Sequence, residues 1–186
     1  LSVTATEPLS SFAAIPSGKQ LERKEKCEMK GTRHNGRSGK NGVYNPLHND
    51  RRFNPEHSEH IDNERVRQNI YWDCYQGYTT MEDQGKENNF SFEQIELAFY
   101  EEHYGNYVMK QNERHVKARH PDRCKEVEDV WKNKKTCPEE SIYQLGTIDE
   151  HASVETLILV FDEFKKEFDV RFGSNVHIID WSLHMD

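Results

Sequence analysis

The chain has 186 residues, of which 34% are hydrophobic and 31% charged, and its mean hydropathy is -1.01. This polar composition leaves room for only a modest core, although nine Phe, eight Tyr and three Trp argue against a disordered chain. No apolar run is long enough to cross a bilayer, and residues 1–20 do not have the pattern of a signal peptide. We therefore expect a cytoplasmic protein that does not act at a membrane.

The four cysteines lie far apart and form no Cys-x-x-Cys pair, which argues against a zinc ribbon and against a disulfide scaffold. The net charge of -8 speaks against a polyanionic partner for the chain as a whole. Residues 19–52, however, carry ten Lys or Arg against four Asp or Glu. Contact with nucleic acid, if the protein makes any, is expected in this part of the chain.

The composition of residues 1–20 predicts a disordered or non-native lead. The folded domain is predicted over residues 21–186. Residues 23–30 indicate a strand, and residues 31–54 indicate a long loop because Gly, Asn and Pro are frequent there. Ser91 and Gln94 form a capping-box pair, which predicts a helix that runs to about Lys117. A charged connection is expected over 121–135 and a strand over 140–146.

A second helix is predicted from Ser153 to Phe172, ending at Gly173. Its apolar stripe, expected to be core, consists of Val154, Leu157, Ile158, Phe161, Phe164, Phe168 and Phe172. The last strand alternates, so that Ile179, Trp181 and Leu183 share one face, and Asp180, Ser182, His184 and Asp186 the other. The succession of strand, helix and strand predicts an α+β fold in which helices cover one face of a sheet.

The first group of residues with chemical potential is His34-Asn35-x-Arg37, preceded by Arg33. An imidazole can act as base or nucleophile, and an arginine three residues later can hold a phosphate by two parallel hydrogen bonds. The alternative is a pair of exposed side chains in a basic loop. Composition alone favours this alternative.

The second group lies in residues 62–73. Arg65 and Arg67 can neutralise phosphates, and Tyr71 or Trp72 can stack on an unpaired base. An amphipathic element that buries Ile70 and Trp72 explains the same pattern equally well. The third group is His184 with Asp186, which are too few for a metal site, since a stable site needs three or more ligands.

The order of these groups resembles that of the plasmid mobilisation and recombination relaxases, the Mob/Pre or MobV-type family. His34-Asn35-x-Arg37 resembles the first motif of the family. Residues 153–186, with the helix, the turn and the strand that leads to His-x-Asp, resemble the segment that enters its third motif. The resemblance covers residues 31–186.

The second motif of the family is matched by Arg65 and Asn69. The family has Tyr directly after the Asn, whereas this chain has Ile70 there and Tyr71 one position later. This difference puts a role for the phenol of Tyr71 in doubt.

The resemblance implies the fold of replication-initiator-like endonucleases, a five-stranded antiparallel sheet backed by helices. It also implies a DNA strand transferase that nicks one strand of plasmid DNA at a transfer origin and keeps the 5′ end covalently. His34 would be the nucleophile and Arg37 would orient the phosphate. DNA contacts would come from Arg33, Asn35, Arg65, Arg67, Asn69 and Tyr71.

A divalent ion, Mn or Mg, would be held in the complete domain by histidines of the third motif, of which His184 is the first, with Asp186 beside it. In the family this motif continues with Glu, a spacer and Pro-His-x-His, whereas the chain ends at Asp186. We therefore expect a fragment, truncated inside the domain, that does not bind the metal stably. Little metal-dependent nicking is expected from it alone.

Two other functions are compatible with the sequence. One is a non-catalytic module of a mobile element that binds single-stranded DNA without using His34. The other is a protein-interaction domain whose basic loop contacts an acidic partner, which the net negative charge permits.

Overall fold

The computed structural model describes residues 31–37, as backbone, together with residues 46–52, 65–84, 86–146 and 152–185. The strands are β1 (Gly31–Arg37), β2 (Ile70–Asp73), β3 (Gly77–Thr80), β4 (Glu139–Leu145) and β5 (Asp180–Leu183). The helices are α1 (Pro46–Asn49), α2 (Phe92–Lys117), α3 (Val127–Trp131) and α4 (Val154–Phe172). In this part of the chain the α+β class is confirmed. The strands form two antiparallel sheets, β1-β4 and β3-β2-β5, and not one sheet of five.

The two-stranded ribbon corrects the prediction of a continuous loop over residues 31–54. β1 pairs with β4 in a register that sets His34 opposite Ile142 and Gly36 opposite Glu140. The sequence of β1 is polar and contains two glycines, so its residues have a low intrinsic tendency to form a strand. The backbone hydrogen bonds to β4 therefore stabilise it. The strand predicted over residues 23–30 and the lead over 1–20 lie outside the described residues.

The predicted alternation is confirmed for Asp180–Leu183, which form β5 in the three-stranded sheet, but Ile179 precedes the strand and packs on the side of α2 instead of beside Trp181. β2 lies in the middle, with Asp73 opposite Asp180 and Trp72 opposite Trp181. Since neighbouring side chains on a strand point to opposite faces, one face of the sheet carries acidic groups and Tyr71, and the other carries tryptophans. β5 ends at Leu183, and His184 follows it directly.

The predicted first helix is confirmed as α2, and both halves of its capping box form. The Ser91 hydroxyl accepts a hydrogen bond from the Gln94 amide, and the Gln94 side chain accepts one from the Ser91 amide at 2.9 Å. α2 packs on the acidic face of the sheet, where Phe92 meets Tyr71 edge to face at 6.1 Å between ring centroids. The start of α2 is thereby fixed next to β2.

The segment predicted as a charged connection contains α3, which is a correction. Trp131 at its end is only 7% exposed and packs with Phe99 and Tyr100 of α2. Val127 and Val130 of α3 pack against the same cluster. The charged residues around these three side chains obscure the pattern in the sequence, so the five-residue helix was not predicted.

The predicted second helix is confirmed as α4, but two expectations about it are wrong. It covers the tryptophan face of the sheet, so helices lie on both faces: Phe161 stacks on Trp181 at 3.9 Å and lies 6.0 Å from Trp72. Its apolar stripe is also not a buried core, since no residue of α4 is fully buried and Phe164 and Phe172 are 44% and 51% exposed. None of the helices in the described ranges is long and apolar enough to cross a membrane.

Candidate functional site

The short helix α1 is docked at the N-terminus of α2, next to the end of β5. The Asp50 carboxylate accepts a hydrogen bond from the Phe92 amide at 3.0 Å, in the first turn of α2. The Arg52 guanidinium donates to the carbonyl of Phe90 at 3.0 Å and lies 3.4 Å from Asp50. These contacts fix the position of residues 46–52 although α1 itself has only one turn.

His184 is held by this helix. Its Nε2 donates a hydrogen bond to the Asn49 carbonyl at 2.8 Å. A carbonyl can only accept, so in the neutral ring the lone pair is on Nδ1. A backbone carbonyl that accepts from one ring nitrogen, while the other ligates, is the usual arrangement of a metal-binding histidine.

Asn69 lies beside the same segment. Its side chain is fully buried, with 0% exposed, and its Oδ1 accepts a hydrogen bond from the Met185 amide at 2.8 Å. The bond fixes the backbone directly after His184. Two of the predicted site residues, separated by 115 positions in the sequence, are therefore neighbours in the fold.

The side chain of Asn49 connects this site to the β1-β4 ribbon. Its Nδ2 donates to Oε1 of Glu140 at 2.8 Å, and Glu140 stands opposite Gly36 of β1. His34 lies two residues before Gly36 on that strand. β1, which carries the predicted first motif, is thus paired with β4, and β4 is connected to His184 through Asn49.

For Arg33, His34, Asn35 and Arg37, the structure gives the strand register and not the placement of their side chains. Arg65 is half-buried and Arg67 is exposed on a 3₁₀ turn, Arg65–Gln68, that precedes β2. Asp186 lies outside the described residues. Arg67 is therefore the predicted DNA contact with the most surface among those with described side chains.

Tyr71 and Asn69, which the resemblance places in contact with DNA, are both buried in the described structure. Tyr71 is 2% exposed, and its hydroxyl lies 3.6 Å from the sulfur of Met81, so its ring offers no face to a base. Alternation along β2 directs it into the interface with α2. Asn69, fully buried, can shape the site but has no surface for DNA to touch.

Sequence reasoning missed three residues at this site: His48, Asn49 and Arg51. His48 and His184 meet edge to face with 6.4 Å between ring centroids. Arg51 Nη1 lies 3.1 Å from Nε2 of His48. The available signal was the His-x-x-Arg spacing, which occurs at His34 and Arg37 and again at His48 and Arg51.

Five carboxylates from different elements lie near the site: Asp73 and Asp180 on the face of the sheet that α2 covers, Glu96 on α2, Asp50 after α1 and Glu140 on β4. Burial raises the pKa of Asp50, Asp73, Glu96, Glu140 and Asp180, and mutual repulsion contributes in the case of Asp180. Asp50 is neutralised in part by Arg52, and Glu140 accepts from Asn49. The local negative charge is therefore smaller than the number of acidic groups suggests.

Among the described residues, no group of three or more His, Cys, Asp or Glu is arranged to hold a metal ion. His184 has the hydrogen bond of a ligating histidine, but one donor does not make a site. The described side chains by themselves therefore do not complete a site for a divalent ion.

Comparison of the chain with protein-family models, with curated proteins and with solved structures finds no match.

Proposed function

We propose that this chain is a DNA-binding domain of the plasmid-mobilisation relaxase type, a strand transferase that acts on single-stranded DNA. The observation that carries the proposal is the meeting of three distant segments at His184. Asn49 accepts from its Nε2 at 2.8 Å, and Asn69 holds the adjacent Met185 amide at 2.8 Å. Relaxase activity requires such a meeting, since its motifs are far apart in the sequence.

The charge of the chain also supports the proposal. The surplus of positive residues lies in residues 19–52, and α1 brings the end of that segment to His184. The ribbon that includes His34 is joined to the same place through Glu140 and Asn49. A DNA strand that crosses this region would meet the basic segment and the candidate nucleophile together.

The proposed reaction is a phosphoryl transfer. A ring nitrogen of His34 attacks the scissile phosphorus, a P–N bond forms, the P–O bond to the 3′ oxygen breaks, and the 3′ end leaves as a hydroxyl after taking up a proton. The 5′ phosphate remains on the protein as a phosphoramidate. Such a bond is acid-labile, which distinguishes it from a tyrosine ester.

The first test is a binding measurement. Fluorescence anisotropy of the 186-residue chain with a labelled pool of random single-stranded oligonucleotides should detect binding that is tighter than to duplex DNA of equal length. The affinity should fall steeply between about 50 and 200 mM salt, because phosphate contacts release counterions. If no binding occurs at low salt, the proposal fails and a protein-interaction domain becomes the better hypothesis.

The second test concerns the transfer step. An oligonucleotide labelled at its 3′ end should leave label on the protein, in small amount because the described residues include no group of three or more metal ligands. Acid should release the label, and His34→Ala should abolish the adduct while binding persists. The variant His120→Ala, far along the chain, is the matched control. Strand-preferring binding with no adduct at all would favour the non-catalytic module.

A further inference from the structure

We propose that α2 and the start of α3 form a docking groove for a basic, amphipathic helix of a partner protein. The groove has a volume of about 660 Å³ and lies along the second half of α2. The candidate site adjoins the other end of this helix, where Asp50 contacts Phe92, and the groove begins at Glu101, about 14 Å farther along. Docking in the groove is therefore a function separate from the proposed contact with DNA.

The groove is lined by one face of α2 and by the first residues of α3. Residues three, four or seven positions apart share a face of a helix, and the lining positions of α2 follow this spacing over about 22 Å. They are Glu101, Gly105, Val108, Met109, Asn112, Glu113, Val116 and Lys117. Glu126 and Val127, at the start of α3, form the other wall. A surface of this length suits a helix of about four turns that lies alongside α2.

The two walls are bonded to each other. Nδ2 of Asn112 donates a hydrogen bond to the Lys125 carbonyl at 2.8 Å, and Oδ1 of Asn112 accepts one from the Lys125 amide at 2.9 Å. Val127 packs against the buried cluster that contains Trp131. The groove is therefore already formed without a partner, which lowers the ordering cost of binding.

Apolar side chains of the groove are open to solvent. Met109 and Val116 are 52% and 59% exposed, and Val108 beside Met109 is buried beneath them. Apolar residues grouped on a concave surface and surrounded by polar ones are typical of a protein-binding site. A helix that places its own apolar face on Met109 and Val116 would remove this surface from water, which favours binding.

Gly105 leaves space in the groove at a cost to α2. A glycine inside a helix is destabilising relative to alanine. The described fold does not require one here, because a Cβ added to Gly105 would meet only the flexible side chain of Glu101 among the described residues, at 3.1 Å from its Oε1. The missing side chain instead allows the backbone of a partner to approach α2 closely.

The charge around the groove favours a basic partner. Glu101, Glu113 and Glu126 are exposed carboxylates, and Lys117 is the one cation in the lining. In the described part of the chain, the ion pairs do not include Glu101 or Glu113. A second copy of this chain, packed groove to groove, would bring the same carboxylates together, so a cationic helix fits better.

The probe for this groove is a fluorescent peptide of about 16 residues, about 24 Å long as a helix. It is built from Leu, Ala and Lys, with leucines at helical spacing on one face and lysines beside them. Fluorescence anisotropy with the full chain at about 0.15 M salt should detect binding. A scrambled peptide of the same composition and a peptide with Glu in place of each Lys are the controls, and neither should bind.

Charge reversal tests the carboxylates. The double variant Glu101→Lys, Glu113→Lys should weaken peptide binding about tenfold, because two attractions become repulsions. The matched control is Glu163→Lys, Glu167→Lys, which makes the same change in net charge on α4, across the sheet from α2. Both control residues are in exposed ion pairs, which contribute little to stability. The control should change the affinity by less than about twofold.

Gly105→Leu tests the space in the groove with a variant that is expected to fold well. Leucine has a much higher helix propensity than glycine, so the melting temperature should not fall below that of the wild type. Peptide binding should nevertheless weaken at least about tenfold, because the leucine side chain blocks the close approach of a partner. Loss of binding without loss of thermal stability distinguishes a docking role for Gly105 from a structural one.

Weaker binding by both groove variants, with the α4 control unaffected, would support the docking groove. No binding of the basic peptide, equal binding of the scrambled peptide, or equal affinities of the groove variants and the control would overturn it. Sedimentation of the wild type addresses self-association: a dimer that Gly105→Leu dissociates would show that the groove joins two copies of the chain, and would also overturn the proposal. None of these results depends on DNA, so each one leaves the proposed function to its own tests.

Discussion

At the scale of single residues, the buried pair Glu96 and Asp180 has the most unusual chemistry in the described structure. Glu96 is 0% exposed and its Oε2 accepts a hydrogen bond from the indole of Trp131 at 2.6 Å. Burial raises the pKa of both carboxyls; the charge of Asp180 raises the pKa of Glu96 further, and the charge of Asp73 raises that of Asp180. Two carboxylates in contact cannot both be ionised at low cost, so the pair shares a proton.

This shared proton predicts that stability falls as the pH rises. A raised pKa in the folded state means that the folded protein binds more protons than the unfolded one above about pH 4.5. The contribution of the retained protons to the free energy of unfolding is therefore fully present below that pH. It is lost progressively as the pH rises, by up to about 1.4 kcal/mol per pH unit for each retained proton. Chemical denaturation at pH values between about 5 and 9 measures this loss.

Glu96→Gln should flatten that profile. The amide keeps an oxygen for Trp131 and offers an N–H to Asp180, so the pair no longer needs a proton. The variant should therefore gain stability relative to the wild type as the pH rises. Glu101→Gln, an exposed substitution on the same helix, is the control and should leave the slope unchanged. Equal slopes for the wild type and Glu96→Gln would disprove the shared proton.

Residues that act on their immediate neighbours in the chain were predictable, whereas long-range partners were not. Ser91 and Gln94 are three positions apart, and their capping box was apparent from the sequence. Glu96 is one of five glutamates in α2, and its partner lies 84 positions away. In the same way Asn69 and His184 were candidates, but the hydrogen bonds from His184 to Asn49 and from Met185 to Asn69 depend on the fold.

At the scale of elements, α4 shows how a helix can be anchored without being buried. Its tie to the sheet is concentrated at Phe161, which stacks on Trp181 at 3.9 Å, and at Asp162, which accepts a hydrogen bond from Tyr78 at 2.6 Å. Lys165 adds a cation–π contact, 5.2 Å from the ring of Trp72. Farther along, the aromatic stripe continues to Phe172, which is 51% exposed.

Phe161→Ala should therefore destabilise the protein by about 2 kcal/mol, less than a fully buried phenylalanine, because the ring is half-buried. Phe172→Ala belongs to the same stripe and should cost no more than about 0.5 kcal/mol. Denaturant titration of both variants makes the comparison. Equal losses would mean that the whole stripe is packed in solution, as the sequence pattern predicted.

The elements that the sequence revealed are those with a pattern of their own. α2 and α4 have helical spacing over many turns, and β5 has strict alternation. β1 and α3 have neither: one is stabilised by pairing with β4, the other by the burial of Trp131. Elements of this kind exist because of tertiary contacts, so local pattern does not indicate them.

At the scale of the whole molecule, the described fold consists of two sheets, joined through α1 and through a ring contact between Tyr143 of β4 and Phe164 of α4, 6.3 Å between centroids. The β3-β2-β5 sheet lies between α2 and α4, whereas the β1-β4 ribbon has exposed residues such as Ile142 and Tyr143, 44% and 53% exposed. An isolated two-stranded ribbon is marginally stable in water. The hydrogen bond from Asn49 to Glu140, at 2.8 Å, is therefore an important link between the two halves of the candidate site.

Hydrogen exchange should accordingly reveal two cooperative units. Amides of β1 and β4 should exchange through an opening that costs less free energy than the opening of β2 and β5. Asn49→Ala should lower that cost for the ribbon by about 1 kcal/mol and leave β2 unchanged, since the backbone carbonyl that binds His184 remains. Asn106→Ala, an exposed change on α2, is the control.

Adding single-stranded oligonucleotide extends the same experiment to function. If DNA lies across the ribbon and α1, its binding must slow exchange in β1 and β4 and raise their opening cost toward that of β2, because the ligand stabilises the closed form alone. The gain should be smaller in Asn49→Ala, whose two halves are less firmly joined. A single opening cost for all strands, unchanged by DNA, would contradict both the two-unit description and the placement of DNA at this site.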